Sequence, residues 1–214
     1  MIKWLKRLIL LGIVVFAVYL NQLHTVVKKE FSKPLGSINS HLDLKDYPVA
    51  LINMLLIMED QSFFQHSGVD FVEIGRVMRG YWLYDLPMRG ASTITQQLIK
   101  NTLLTPEKTV ERKLKEGLMA FLLEVSFDKQ MILTRYMNSV YLGQKGNDEI
   151  RGFERAARFY FNQDVRVLSL EKLSALVALL KGPSYYNPIR RPQRLLQRQK
   201  LVLRLYHTNQ KIVK

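Results

Sequence analysis

Three short blocks of this chain hold residue types that do chemistry together. The first, residues 59–70, carries the acids Glu59, Asp60 and Asp70, the aromatics Phe63 and Phe64, and His66 and Gly68. Glu59 closes an apolar run. A carboxylate in such a place is partly desolvated, which disfavours its charged form and makes it a proton acceptor near neutral pH. The plainer alternatives are a surface carboxylate at a helix end and a capping or core histidine. The second block, residues 90–101, follows Gly90 with Ser92, Thr93, Thr95, Gln96, Gln97, Lys100 and Asn101. A glycine loop leading into a hydroxyl-rich helix start offers free N–H groups and a positive dipole end, which suits a phosphate or pyrophosphate. A well-capped surface helix explains it as simply, and the Gly-Lys-Ser/Thr ending of a Walker loop is absent. In the third block Arg112 and Glu116 are four apart and Lys113 and Glu116 three apart, so on a helix they share a face. Intrahelical ion pairing is the default account. Two adjacent cations beside a carboxylate could instead hold a diphosphate, with or without a divalent ion.

Helices must position these blocks. Residues 49–58 are strongly apolar and run into Glu59, and Asp70 caps a helix carrying Phe71, Ile74, Val77 and Met78. Residues 84–92 read as a loop, and Thr93 with Gln96 has capping-box spacing. Residues 110–125 are helical, with a Leu114, Leu118, Phe121, Val125 stripe opposite the charged trio. The helical period continues over residues 131–142, 152–160 and 170–180, and the stretch between Pro183 and Pro192 breaks it. No strand alternation is long enough for a large sheet.

The chain has 214 residues, 48% hydrophobic and 23% charged, so it buries a core and is not a disordered polycation. Zero cysteines exclude a disulfide scaffold, a thiolate nucleophile and Cys-ligated metal. A net charge of +14 leaves nucleic acid, an anionic membrane or a phosphorylated substrate as partners. The N-terminus narrows that choice. After Lys3, Lys6 and Arg7, residues 8–27 hold no Asp, Glu, Lys or Arg. As a helix this window spans roughly 30 Å, the thickness of a bilayer's hydrocarbon core. No small-x-small cleavage site follows it, so we read an uncleaved signal anchor. Residues 1–7 are then cytoplasmic, 8–27 transmembrane, 28–48 a polar, irregular linker and 49–214 an exported domain. Residues 181–214 carry nine basic residues and no acid. They read as an amphipathic helix with a Leu195, Leu196, Leu201, Val202, Leu205 stripe, docked on the core or held against lipid headgroups.

In order and spacing the blocks resemble the signature motifs of the peptidoglycan glycosyltransferases, found as monofunctional enzymes and as the N-terminal domain of class A penicillin-binding proteins. The match covers Glu-Asp-x-x-Phe-x-x-His-x-Gly from Glu59, Gly-Ala-Ser-Thr-Ile-Thr-Gln-Gln-Leu-x-Lys-Asn from Gly90, and Arg-Lys-x-x-Glu from Arg112. It continues through Ile132, Leu133, Tyr136, Asn138, Tyr141 and Gly143 to Lys-Gly-Pro-Ser-Tyr-Tyr-Asn-Pro at residues 181–188. The resemblance implies a mainly α fold, a lysozyme-like helical domain beside a small membrane-associated jaw lobe, preceded by one transmembrane helix. It implies an inverting polymerisation of lipid II into glycan strands with release of undecaprenyl pyrophosphate. Glu59 would be the general base. Glu116, with Lys100, Arg112 and Lys113, would stabilise the leaving pyrophosphate, and Arg76 would belong to the donor site. Asp60, Phe63, His66, Ser92, Thr93, Gln96, Gln97 and Asn101 would complete the substrate cleft. No organic cofactor is implied; a divalent cation, magnesium or manganese, would have Glu116 as its candidate ligand.

The implied partners are lipid II and the growing glycan, membrane lipids and cell-wall synthesis proteins, with no nucleic acid. The implied place is the bacterial cytoplasmic (inner) membrane, crossed once, with the catalytic domain on the periplasmic or extracellular side. Lys108 stands where members often have Arg, and Thr134 where Glu is usual. Bifunctional relatives continue into a transpeptidase domain, whose Ser-x-x-Lys nucleophile motif is expected to be absent here, so the chain is read as a monofunctional enzyme or a fragment. A lytic lysozyme-like enzyme would need no cluster of Lys100, Arg112 and Lys113, and a non-catalytic membrane-anchored scaffold would not need both Glu59 and Glu116.

Overall fold

The computed structural model describes residues 2–35, 41–87 and 90–209. Part of the expected linker, part of the expected loop at 84–92, and the tail cations Lys211 and Lys214 lie outside the described residues.

The first helix, α1 (Ile2–Phe31), is unbroken. Among the described residues it is the one helix long and apolar enough to cross a membrane. Its last third is different: Leu23, Val27 and Phe31, spaced four apart, are buried. They dock on α5 (Val110–Ser126), where His24 Nε2 lies 2.8 Å from Ser126 Oγ. The Phe31 and Phe127 rings sit 6.5 Å apart and the Arg135 guanidinium stacks over Phe31. The irregular linker expected from residue 28 therefore begins only after Phe31. Lys28 and Lys29 end the apolar window but not the helix, because they face outward in its last turn, where cations suit the dipole. The far end of that segment is also tied down: Asn138 accepts from the Leu42 N–H and the Tyr47 hydroxyl, and donates to the Leu42 carbonyl.

The centre of the domain is α2 (Val49–Glu59), where every residue from Leu51 to Ile57 is buried. A helix apolar all round needs partners all round. α8 (Leu170–Leu179) and α9 (Pro192–Thr208) supply them, packing on α2 and on each other. Of the expected α9 stripe, Leu195 and Val202 are buried while Leu196 faces out. α4 (Ile94–Leu103) packs on α5 and on α6 (Lys129–Ser139). α3 (Phe71–Tyr84) is the exception, with no buried residue and with Phe71, Val72, Trp82 and Leu83 exposed.

Two elements differ from expectation. α6 ends at Ser139 rather than at residue 142, and a hairpin follows: β1 (Tyr141–Lys145) pairs antiparallel with β2 (Asp148–Arg151). The run Val140, Tyr141, Leu142 favours strand, and Gly146, at φ 60, opens the two-residue turn. α7 (Phe153–Phe161) then returns to the core. On α5 the Leu114, Phe121, Val125 stripe points outward, 66%, 49% and 63% exposed, while Glu116, Met119, Ala120 and Leu123 face the core.

Candidate active site

Glu59 is the last residue of α2, placed at the end of a helix whose Leu51–Ile57 stretch is buried. Gln97, one turn into α4, donates from Nε2 to Glu59 Oε2 at 3.0 Å. Tyr136 on α6 donates from its hydroxyl to Gln97 Oε1, also at 3.0 Å. Burial pushes the Glu59 carboxyl above the usual glutamate range; the Gln97 donor and the charges of Arg198 and Lys181 pull the other way, and Asp60 adds to the rise.

The rest of the first block turns inward. Asp60 accepts from the Ile94 N–H at 2.9 Å and bonds His66 Nε2 at 3.0 Å. His66 Nδ1 accepts from the Gly68 N–H, so Nε2 carries the proton and donates to Asp60. Phe63 is fully buried, with the Lys129 ammonium 4.5 Å from its ring centroid. Lys129 also pairs with Glu124 at 2.7 Å, and Glu124 accepts from Thr95 at 2.6 Å. Gly68, at φ 88, lies so close to α5 that a Cβ would stand 2.6 Å from the Ala120 carbonyl. Its own carbonyl accepts from Thr93 Oγ1. The Asp60, Phe63 and His66 side chains thus form a buried, internally bonded wall in the turn that follows Glu59.

The second block opens α4 with the expected capping box: Thr93 Oγ1 accepts from the Gln96 N–H and Gln96 Oε1 accepts from the Thr93 N–H. Thr93 and Gln96 are therefore buried and committed, whereas Gln97 is half-buried and Lys100 and Asn101 are exposed. Gln96, Gln97 and Lys100 stand within one helical turn, so Lys100 lies beside the Gln97 contact with Glu59. Ser92 accepts from Lys113 Nζ at 2.8 Å, which joins this block to α5.

Glu116 is 2% exposed. One oxygen bonds Lys113 and the other pairs with Arg112 at 3.3 Å, while Arg112 Nε is buried with no partner among the described residues. A buried carboxylate paired with two basic side chains orients both of them. The same geometry tests the divalent ion. One carboxylate with both oxygens already engaged by cations is a poor ligand set for a hard metal, and no group of three His, Asp or Glu able to hold one occurs among the described residues. Arg76 stands apart on α3, exposed and paired with Glu73.

Lys181 and Arg198 lie near enough to influence Glu59, yet the spacing of the three blocks gave no hint of them. They come from the end of α8 and from α9, far along the chain, and only packing on α2 brings them near. Contrary to expectation, the Ser-x-x-Lys nucleophile spacing of a transpeptidase domain does occur, at Ser126–Lys129 and Ser169–Lys172, and both serines are committed to structure. Ser126 bonds His24 and the Leu122 carbonyl, and Lys129 pairs with Glu124. Ser169 caps α8.

A helical domain on an apolar N-terminal helix, with one desolvated carboxylate at Glu59 and a second, Glu116, held by two cations, has the make-up of a helical enzyme domain. The transglycosylase family model matches residues 28–207, and the chain belongs to that family. Penicillin-binding protein 1B of Haemophilus influenzae is 44% identical over 164 residues, 77% of this chain and 21% of that protein. Penicillin-binding protein 1B of Escherichia coli strain K12 is 41% identical over 179 residues, 84% of this chain and 21% of its own. Penicillin-binding protein 1A of Neisseria lactamica is 45% identical over 158 residues, 74% of this chain and 19% of its own. The chain spans about a fifth of the length of these relatives.

Proposed function

We propose that the chain is a membrane-anchored peptidoglycan glycosyltransferase that polymerises lipid II. Glu59 takes the proton from the 4-hydroxyl of the acceptor's N-acetylglucosamine as that oxygen attacks the anomeric carbon of the donor chain. The bond to the donor's pyrophosphate oxygen breaks, the configuration inverts, and undecaprenyl pyrophosphate leaves with the electron pair. Arg112 and Lys113, aligned by Glu116, together with Lys100 and Arg76, stabilise the charge that develops on it. The observation that carries this reading is the contrast between two carboxylates: a desolvated Glu59 touched by a neutral amide, and Glu116 touched by two cations.

In this reading the exposed apolar side chains of α3 form the jaw that rests on the membrane. α1 crosses the bilayer with Lys3, Lys6 and Arg7 in the cytoplasm and the domain outside, where cell-wall synthesis proteins and membrane lipids are its partners. The test is conversion of labelled lipid II by the purified chain in detergent. Polymer should form with release of undecaprenyl pyrophosphate and be blocked by moenomycin-type inhibitors. Recovery of intact lipid II from active-fold protein would refute the proposal.

A further inference from the structure

The contact between Gln97 and Glu59 depends on which way the Gln97 amide faces. An ionised carboxylate only accepts, so it requires the NH2 end. A protonated one can donate, and then the carbonyl end serves as well. Gln97 Nε2 faces Glu59 and Gln97 Oε1 receives the Tyr136 hydroxyl. Tyr136 is 1% exposed, and this is the one hydrogen bond of its hydroxyl among the described residues. Were the amide turned over, the phenol oxygen would accept and its own proton would be left unpaired in a buried site, which is costly.

We propose that Tyr136 is a positioning residue for Glu59, locking the Gln97 amide with its NH2 group toward the carboxylate and so favouring the ionised, proton-accepting form. The proposal rests on the reading of Glu59 as the base. The other groups facing Glu59 are Asp60 beside it on the chain, Arg198 from α9 and Lys181 beyond α8. The two cations also favour ionisation, but both are long side chains rather than a fixed donor in contact. The Tyr136–Gln97 bond is the part of this environment that a single hydroxyl controls. Burial raises the Glu59 carboxyl, and the locked amide limits that rise so that the base is available near neutral pH.

The test is the pH dependence of lipid II polymerisation by the full chain in detergent, for wild type, Tyr136→Phe, Gln97→Leu and the double variant. Losing the lock should move the acid limb of the profile upward by about 0.5–1 in pH, the scale of one hydrogen bond to a carboxylate. Gln97→Leu should move it in the same direction, and adding Tyr136→Phe to Gln97→Leu should move it no further. A purely packing role would lower the rate at every pH and leave the limb in place; that result overturns the proposal. So does a double variant in which the tyrosine shifts the limb as much as it does alone. Should Tyr136→Phe melt below the assay temperature, Gln97→Leu carries the test, and an unmoved limb there is equally fatal. Failure of the underlying reading is distinguishable, because it shows as full activity in Glu59→Gln.

Discussion

Two carboxylates, Glu59 and Glu116, are built in opposite ways. Glu59 ends a helix that is apolar on every side, and the one side chain bonded to it among the described residues is a neutral amide. Glu116 is more deeply buried, yet it sits between Arg112 and Lys113. Burial raises the Glu59 carboxyl, while each oxygen of Glu116 is engaged by a cation. The two acids differ in what answers the carboxylate: a neutral amide at Glu59, two charged side chains at Glu116. In the proposed chemistry the acid without a charged contact accepts the proton and the cation-bound acid holds the leaving group's partners.

The comparison can be broken from either end. Glu59→Gln keeps volume and hydrogen bonding, so polymerisation should fall about 10³-fold while the melting temperature changes little; equal activity would remove Glu59 from the chemistry. Glu116→Ala leaves two cations without their anchor and should cost about 2–3 kcal/mol of stability in a denaturant titration, with a larger loss in KM than Glu116→Gln. Gly68→Ala should loosen the wall behind Glu59 by about 2 kcal/mol, because its φ of 88 and the Ala120 backbone leave no place for a methyl group. The smallest effect is expected on the outer face of α5. Leu114→Ser should lie within about 0.5 kcal/mol of wild type in detergent, whereas Leu123→Ala, on the buried face, should cost about 2–4 kcal/mol. A large loss at Leu114 would contradict the orientation of α5.

The blocks were legible because their chemistry is local. The capping box at Thr93 and Gln96, the Asp70 cap and the shared face of Arg112, Lys113 and Glu116 follow from spacings of three and four. Orientation was less legible. The Leu114, Phe121, Val125 stripe has the period of a core face, yet the core side of α5 is the one bearing Glu116. Periodicity states that a helix has two faces, not which solvent each one meets. The hairpin after α6 was missed because its strands are only five and four residues long. The roles within the first block were compressed as well. The sequence groups Asp60, Phe63 and His66 with Glu59, but at the end of α2 the chain turns, so Glu59 meets Gln97 while Asp60 and His66 bond Ile94, Gly68 and each other. Lys181 stands in the matched stretch at residues 181–188 and Arg198 in the basic C-terminal helix, but only the packing of α8 and α9 on α2 brings either near Glu59.

The most direct measurement asks which of the two carboxylates sets the pH dependence. Polymerisation of lipid II is followed against pH for wild type and for Glu116→Gln. Glu59 must be ionised to accept a proton, so the rate falls as pH drops through its raised pKa, and the acid limb of wild type should lie above the usual glutamate range. In Glu116→Gln the whole profile should sink with its limb essentially in place. A limb that disappears with Glu116, or one that sits in the ordinary range in wild type, would contradict the assignment of the proton to Glu59.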